Sequence, residues 1–343
     1  MPLPPLPTSE SEPYRDALRH AIRSSEALLE FVGVKSPLLP PDVPQKPDFP
    51  VLVPRGFAAR MRYGDPKDPL LRQVLAIHDE SLDAPGFVND PLAEAQTETD
   101  LIPAPALIKK YEGRALLITT SGCAINCRYC FRRHFPYAEH RDLKHTQALA
   151  AISADASVSE IILSGGDPLL LDDHALATLL TKLEAIPHLK RLRIHSRIPI
   201  VLPERITSQL LSLLKKTTLR TALVIHANHP NELNNQTASA LINIKQADVL
   251  LLNQSVLLKG VNDDASVQIA LTEKLYDQGV LPYYLHMPDP VAGTSHFDVN
   301  DADAKMIYSK MQAKLPGYLL PRLVREIPGE HSKHLLDIQL NDE

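Results

Sequence analysis

The sequence has 343 residues, of which 44% are hydrophobic and 22% are charged, as in an ordinary globular protein. Its formal net charge of −5 argues against general nucleic-acid binding, which usually needs a basic surface. No apolar run approaches the roughly 20 residues of a membrane-spanning helix, and no signal-peptide core is visible at the N-terminus. Together with an odd number of cysteines, three in all, these features predict a cytoplasmic protein with no membrane or nucleic-acid partner.

The first part of the chain, residues 1–105, is predicted to be a mostly helical, proline-rich extension. Helices are expected near 12–32 and 69–78, between and beside proline-rich runs at 2–7 and 36–54. Proline breaks such a region into short elements, and the interleaved Leu, Val and Phe favour packing around the outside of a larger body. A proline-rich segment that binds a partner protein is the alternative.

The sequence pattern changes near residue 114. Short apolar runs at 115–120, 160–164, 191–196, 221–227, 247–253 and 281–286 alternate with amphipathic helical stretches. This alternation predicts βαβ units with a parallel sheet. We expect an α/β fold, a partial (β/α)6 barrel over residues 106–315, followed by a C-terminal tail over 316–343.

All three cysteines, Cys123, Cys127 and Cys130, lie within eight residues, with the spacing C-x3-C-x2-C. A structural zinc site needs four closed positions, whereas three cysteines on a four-iron, four-sulfur (4Fe-4S) cluster leave one iron open to another ligand. The spacing resembles the cluster loop of radical S-adenosylmethionine (SAM) enzymes. Three incidental buried cysteines are the alternative, which the tight clustering disfavours.

Polar residues follow the predicted strands at their carboxyl ends, where the sites of parallel α/β folds lie. Although polar residues also end strands for structural reasons, the whole set predicts one shared pocket. The two glycines after the second strand are expected to bring backbone amides close to a ligand. The set comprises Ser164, Gly165, Gly166 and Asp167, then His195, Ser196 and Arg197, then His226, then Asn253 and Gln254, and then His286 to Asp289.

Two charged residues, Arg132 and Lys333, are further candidates for the site. Arg132, two residues after Cys130, is close enough to the predicted cluster to bind a carboxylate through paired hydrogen bonds, whereas Arg133 is expected on a solvated face. Lys333 on its own is typical of surface charge. The Pro328-Gly329 turn before it and the apolar run after it would nevertheless allow a buried lysine that forms a Schiff base.

Seven segments give the sequence a specific resemblance to the lysine 2,3-aminomutase family. In chain order they are CAINCRYCFRRHF, SGGDPL, HSRIPIVLP, HANHPNE, NQSVLLKGVND, YYLHMPDPVAGTSHF and IPGEHSK, and the resemblance covers roughly residues 85–335. That family uses a 4Fe-4S cluster, SAM and pyridoxal 5′-phosphate (PLP) to move the α-amino group of L-lysine to the β-carbon. The resemblance therefore implies an isomerase built on a radical SAM barrel.

The resemblance also implies roles at the cofactor end of the site. Cys123, Cys127 and Cys130 would bind the cluster. The remaining residues of this end would contact SAM or line its site; they are Ser164, Gly165, Gly166, Asp167, Arg197, His226 and Gln254.

At the substrate end, the resemblance implies that Lys333 holds PLP as a Schiff base and that Arg132 binds the substrate carboxylate. Asp289 would bind a substrate ammonium, with Glu326 as a second contact where the family has aspartate. The PLP phosphate would be bound by Lys110, Tyr111 and Arg114, with Lys110 replacing an arginine.

The sequence ends ten residues after Lys333, and this short form resembles the branch called elongation factor P (R)-β-lysylation protein. That branch makes (R)-β-lysine, which a separate lysyl-tRNA-synthetase-like ligase attaches to elongation factor P. An electron donor such as flavodoxin or ferredoxin is implied as a partner. Three alternatives stay open: an aminomutase that makes free β-lysine as a metabolite, an iron–sulfur redox or sensor protein without turnover, and a radical SAM enzyme that has lost PLP.

Overall fold

The computed structural model describes residues 13–35, 47–95, 101–140, 142 and 144–336. Within these residues the strands are β1 (Leu107–Tyr111), β2 (Arg114–Thr120), β3 (Glu160–Gly165), β4 (Arg191–Ser196), β5 (Arg220–Ile225), β6 (Leu250–Val256), β7 (Leu281–His286), β8 (Arg322–Arg325) and β9 (His334–Leu335). They form one sheet in chain order. Strands β2 to β8 run parallel, while β1 and β9 add antiparallel edges.

The predicted fold class is confirmed, and all six predicted strand runs form strands, β2 to β7. In β4, Leu192, Ile194 and Ser196 are buried while Arg193 and His195 are partly exposed, so alternate side chains face opposite sides of the sheet. The seventh parallel strand, β8, lies in the expected tail. It was missed because only Leu323 and Val324 of its four residues are buried, between two arginines.

Helices alternate with the parallel strands. In chain order the helices are α1 (Pro13–Arg19), α2 (Ser25–Phe31), α3 (Arg55–Ala58), α4 (Pro69–Arg72), α5 (Thr146–Ala154), α6 (Asp173–Glu184), α7 (Ile198–Val201), α8 (Ser208–Lys216), α9 (Asn235–Gln246), α10 (Ala265–Asp277) and α11 (Asp301–Gln312). In α6, Asp172 caps the N-terminus and leucines at 176, 179, 180 and 183 are buried on one face. No helix among the described residues has the length and apolar character that crossing a membrane requires.

The N-terminal extension is helical, as predicted, but its helices are shorter than expected. The single helix expected near 12–32 is two helices, because Ser24 caps α2 and Ile22 pairs with Val53 between them. The helix expected over 69–78 ends at Arg72. The proline-rich run at 2–7 and most of the run at 36–54 lie outside the described residues.

The described parts of this extension share one hydrophobic core with the barrel. Val53, Phe57, Leu70 and Leu71 are fully buried in the same cluster as residues of the central strands. Burying such side chains stabilises the fold by about 1.5–3 kcal/mol each. The extension is therefore held firmly enough to place its own polar residues inside the barrel.

Candidate active site

The cysteine loop follows β2 at the carboxyl end of the barrel. Cys123, Cys127 and Cys130 are partly buried free thiols. Burial and the neighbouring Cys127 raise the pKa of Cys130 to about 11, and burial raises the pKa of Cys123 as well. Thiolates so placed are stabilised by a cationic group among them, and an iron–sulfur cluster fits this donor set. Among the described residues, no three His, Cys, Asp or Glu side chains are arranged to hold a single metal ion.

Two arginines of this loop are held by one carboxylate. Arg128 is fully buried and donates from Nε to Glu80 Oε1 at 2.7 Å. Arg133 donates from Nη2 to Glu80 Oε2 at 2.7 Å. The expectation that Arg133 lies on a solvated face is wrong, because its side chain is only 4% exposed. Since the two arginines flank Cys130 in sequence, Glu80 fixes the loop on both sides of that predicted ligand.

Arg197, predicted to bind a cofactor, contacts a predicted cluster ligand. Its Nη1 donates to Cys127 Sγ at 2.7 Å, and its Nη2 donates to Gln73 Oε1 at 2.7 Å and Glu232 Oε2 at 3.0 Å. Burial disfavours its charge, but Cys127 and other nearby groups prevail and raise the pKa of Arg197. An N–H group aimed at a ligand sulfur stabilises negative charge there, as an anionic cluster requires.

The glycine turn after β3 packs against the cysteine loop. A Cβ on Gly166 would lie 2.0 Å from the carbonyl oxygen of Gly122, and Gly165 has a φ of +107°, so both positions require glycine. The N–H groups of Gly166 and Asp167 donate to the carbonyl oxygens of Thr120 and Gly122, each at 2.7 Å. These two amides hold the loop, and the expected contact of the glycine turn with a ligand stays a prediction.

The carboxylate of Asp167 accepts four hydrogen bonds from other residues of the protein. Its Oδ1 accepts from Ser196 Oγ at 2.7 Å and Leu169 N at 3.1 Å, and its Oδ2 accepts from the backbone N of Arg197 at 2.8 Å and of Ile198 at 3.1 Å. Burial raises the pKa of Asp167 to about 6 although these bonds favour its ionised form. Asp167 thus joins the ends of β3 and β4, and its predicted contact with the cofactor stays a prediction.

Arg132 lies where the predicted substrate and PLP residues meet. It donates from Nε to Glu94 Oε2 at 2.7 Å and from Nη1 to Ser164 Oγ at 3.2 Å. The other oxygen of Glu94 lies 2.8 Å from Lys110 Nζ. Burial opposes ionisation of Glu94, but Arg132 and Lys110 prevail and lower its pKa. Glu94 thus joins the predicted carboxylate-binding arginine to a predicted phosphate-binding lysine.

Glu326 continues these ion pairs to Lys333. Its Oε1 accepts from Lys110 Nζ at 2.8 Å and its Oε2 accepts from Lys333 Nζ. Burial opposes its ionisation, but the two lysines prevail and lower the pKa of Glu326. Beside it, the Arg114 guanidinium stands 4.5 Å from the centre of the Tyr111 ring. We call the series of ion-paired residues the charge ladder; its members are Arg132, Glu94, Lys110, Glu326 and Lys333.

Asp289 lies near the charge ladder but outside it. No side chain of the described residues donates a hydrogen bond to its carboxylate, and burial together with Glu326 raises its pKa to about 7. Burial and Lys333 lower the pKa of His286 to about 3, and burial lowers the pKa of His195, whose Nε2 is buried without a hydrogen-bond partner among the described residues. This part of the barrel therefore offers neutral imidazoles and one unpaired carboxyl group.

His226 and Gln254 occupy neighbouring positions at the carboxyl end of the barrel. His226 Nε2 lies 2.8 Å from the hydroxyl of Tyr129, and the two rings stack with centroids 5.6 Å apart. The Gln254 side chain, on β6, is partly exposed and has no hydrogen bond to the described residues. Their contact with SAM stays a prediction.

Four polar residues of the site were missed by the sequence interpretation: Gln73, Glu80, Glu94 and Glu232. The first three come from the extension that was predicted only to wrap the barrel. Charge balance is the signal that could have found the two glutamates of the extension. Three arginines lie within the six residues 128–133, and arginines buried beside a cluster need anionic partners.

Comparisons with known proteins agree with this geometry. The sequence profile of the Radical SAM superfamily matches residues 117–270. The L-lysine 2,3-aminomutase of Escherichia coli K12 is 50% identical over 297 residues, which are 86% of this chain and 85% of that protein. The chain belongs to the lysine 2,3-aminomutase family. These matches confirm the resemblance to this family that the sequence motifs indicated. Members of the family are isomerases.

Two other family members differ in how much of their own length this chain covers. The L-lysine 2,3-aminomutase of Haemophilus influenzae is 44% identical over 95% of this chain and 96% of that protein. The one from Clostridium subterminale is 37% identical over 78% of this chain but only 64% of its own length. The chain therefore matches the Haemophilus protein nearly end to end.

Proposed function

We propose that this protein is a radical SAM, PLP-dependent lysine 2,3-aminomutase that converts L-lysine to (R)-β-lysine. The observation that carries the proposal is the charge ladder. It gathers into one part of the barrel the cations that would bind a carboxylate, a phosphate and PLP. A redox or sensor protein without turnover would have no use for this series.

The cofactors have residues that fit them. When bound, the cluster and SAM supply a carbon-centred radical, and PLP supplies a conjugated ring that stabilises an unpaired electron. Cys123, Cys127 and Cys130 would hold the cluster, with Arg197 donating to Cys127. The PLP phosphate would be bound by Lys110, Tyr111 and Arg114, and Lys333 would hold PLP covalently.

Substrate would be held at both ends. Arg132 is 7% exposed, its Nε donates to Glu94 and its Nη1 donates to Ser164, so Nη2 and the second N–H of Nη1 are the donors left for a carboxylate. Asp289, at the end of β7, would bind the distal ammonium. Fixing both ends places the β-carbon and excludes water around it, which radical chemistry requires.

The product is proposed to serve the modification of elongation factor P through a separate lysyl ligase, with a flavodoxin- or ferredoxin-like electron donor. The resemblance to the short-form branch and the near-complete match to the Haemophilus protein support this part.

An anaerobic assay with L-lysine, SAM, PLP and a reductant tests the activity. We expect (R)-β-lysine, resolved from its enantiomer by chiral chromatography, and none from the Lys333→Ala variant. A protein that forms no β-lysine with all cofactors bound would contradict the activity.

A second experiment adds elongation factor P and its ligase to this assay, which should increase the mass of the factor by one β-lysyl group. β-Lysine that accumulates without this modification would favour the metabolite alternative.

A further inference from the structure

The guanidinium of Arg197 is held in place partly by residues of the N-terminal extension. Its Nη2 donates to Gln73 Oε1 at 2.7 Å and to Glu232 Oε2 at 3.0 Å. Its central carbon stands 5.6 Å from the ring centre of Phe57 and 5.6 Å from that of Tyr129. Gln73 and Phe57 belong to the extension. None of the four partners is a predicted cluster ligand, so these contacts do not require bound iron.

Gln73 is the partner with the most defined orientation. Its Oε1 also accepts from Asn228 Nδ2 at 3.1 Å, and its Nε2 donates to Glu232 Oε1 at 3.1 Å. Its backbone carbonyl accepts from the backbone N of Arg128, in the cysteine loop, at 2.8 Å. Gln73 is fully buried, and both polar atoms of its side chain have partners. Its side-chain oxygen is therefore fixed toward Arg197.

A guanidinium held in this way presents its other amino group to the cysteine loop. The Nη1 of Arg197 donates to Cys127 Sγ at 2.7 Å. One-electron reduction adds negative charge to an iron–sulfur cluster and to the sulfurs that bind it. An N–H donor to such a sulfur therefore stabilises the reduced form more than the oxidised form and raises the reduction potential. Arginine suits this task because its rigid fork binds two sides at once.

We propose that the N-terminal extension raises the reduction potential of the cluster by orienting Arg197 toward Cys127, and that Gln73 is the positioning residue through which it does so. The electron passes from an external reductant to the cluster, and neither Arg197 nor Gln73 is itself oxidised or reduced. The inference rests on the proposed function, because it requires the cluster. It gives the extension a part in the chemistry although it contains no predicted site residue.

The test is the midpoint potential of the cluster, measured by a redox titration that electron paramagnetic resonance follows. Anaerobically reconstituted protein is used without SAM, so that no bound ligand competes for Arg197. Gln73→Met removes both polar atoms of the side chain but keeps its length and the backbone carbonyl that binds Arg128. We expect reduction to become about tenfold less favourable, which lowers the potential by about 59 mV for one electron.

Gln268→Met is the matched control. Gln268 is also buried, and its Nε2 donates to the carbonyl oxygen of Asn262 at 3.0 Å. None of its hydrogen bonds among the described residues involves Arg197. This variant therefore loses a buried hydrogen bond of the same kind but should keep the wild-type potential.

A double variant tests whether Gln73 acts through Arg197. Arg197→Lys keeps the positive charge, but an ammonium has no fork, so this variant should lower the potential by itself. Adding Gln73→Met should then change the potential much less than it does in the wild-type background. A further change of undiminished size would mean that Gln73 acts by displacing the loop, and the inference would be wrong.

A stability cycle keeps the proposal testable if Gln73→Met binds too little iron for a titration. Denaturant unfolding of the full chain without cofactors is compared for Gln73→Met, Arg197→Lys and the double variant. The double variant should lose less stability than the sum of the single losses, because each single change already breaks the same contact. Additive losses would overturn the proposed pairing.

The outcomes separate this inference from the proposed function. If wild type holds the cluster and Gln73→Met has an unchanged or higher potential, the inference is wrong and the proposed function stands. An equal fall in Gln268→Met would assign the effect to packing in general and would also overturn the inference. If wild type binds no cluster, the proposed function fails and the inference fails with it.

Discussion

At the cysteine loop, Arg128 and Arg133 share the carboxylate of Glu80, and Arg197 pairs with Glu232. At the substrate end, Arg132, Lys110 and Lys333 are paired as well, but with Glu94 and Glu326, and all three are the groups proposed to hold ligands. The two regions use the same residue types. They differ in whether a ligand must compete for the cation.

The difference follows in part from burial. Arg128 is fully buried and Glu80 is 7% exposed, and Arg132 and Glu94 are each 6% exposed, whereas Lys110 and Lys333 retain 15% and 21% exposure. A buried pair that loses one partner leaves an uncompensated charge, so the cluster loop is fixed in place. The charge ladder keeps its cations ionised and aligned while leaving them open to exchange partners when a carboxylate or phosphate arrives.

Removing a predicted cluster ligand should have the largest effect. Cys127→Ala leaves two of the three cysteines, so we expect loss of the brown chromophore and of SAM cleavage in anaerobically reconstituted protein. Iron analysis and detection of 5′-deoxyadenosine measure both losses. Ser121→Ala, at an exposed position of the same loop, is the matched control. A variant that still binds about four irons would contradict the assignment of the loop.

Removing the shared anion of the cluster loop tests whether that region is fixed by its ion pairs. Glu80→Gln leaves Arg128 and Arg133 without their carboxylate, and we expect about 3–5 kcal/mol lower stability and reduced iron content. Denaturant unfolding and iron analysis measure these effects. Glu112→Gln, at an exposed position, should change neither. Wild-type iron content in Glu80→Gln would mean that the loop is held by other contacts.

The pH dependence of lysine binding tests the substrate end of the barrel, where a carboxyl group is free to bind a ligand. The pKa of Asp289 is raised to about 7, so its carboxyl group is neutral below that pH and ionised above it. Only the ionised form pairs with an ammonium, so lysine affinity should rise roughly tenfold from about pH 6 to about pH 8. Burial and Lys333 lower the pKa of His286 to about 3, so it stays neutral over this range.

Norleucine is the control for this pH series, because its chain carries no ammonium to pair with Asp289. Its affinity should change much less over the same range when PLP absorbance is followed for both ligands. A parallel rise for the two ligands would assign the titration to another group.

The sequence predicted the strands of the barrel better than the ion pairs and hydrogen bonds at their carboxyl ends. Strands β2 to β7 were predictable because short runs rich in apolar residues alternate with helical stretches along the sequence. The spacing of the cysteines predicted their role as cluster ligands, which stays a prediction. Glu80 and Glu94 were not predictable, because nothing local marks an acidic residue that becomes buried only when distant arginines pack against it. The four donors to the Asp167 carboxylate were not predictable either, because a short motif does not show which distant groups pack against it.

An exposed ion pair near the substrate end should have the smallest effect. Arg325 on β8 pairs with Asp301 of α11, and their side chains are 39% and 51% exposed. Water already screens both charges, so Asp301→Asn should cost at most about 1 kcal/mol of stability. Lysine affinity should fall much less than in Asp289→Asn, because Arg325 makes its ion pair with Asp301 and acts on Asp289 only through its charge. Denaturant unfolding and the PLP absorbance titration measure the two quantities. If lysine affinity fell as far in this variant as in Asp289→Asn, charge near β8 in general, and not the unpaired carboxyl group of Asp289, would account for substrate selection.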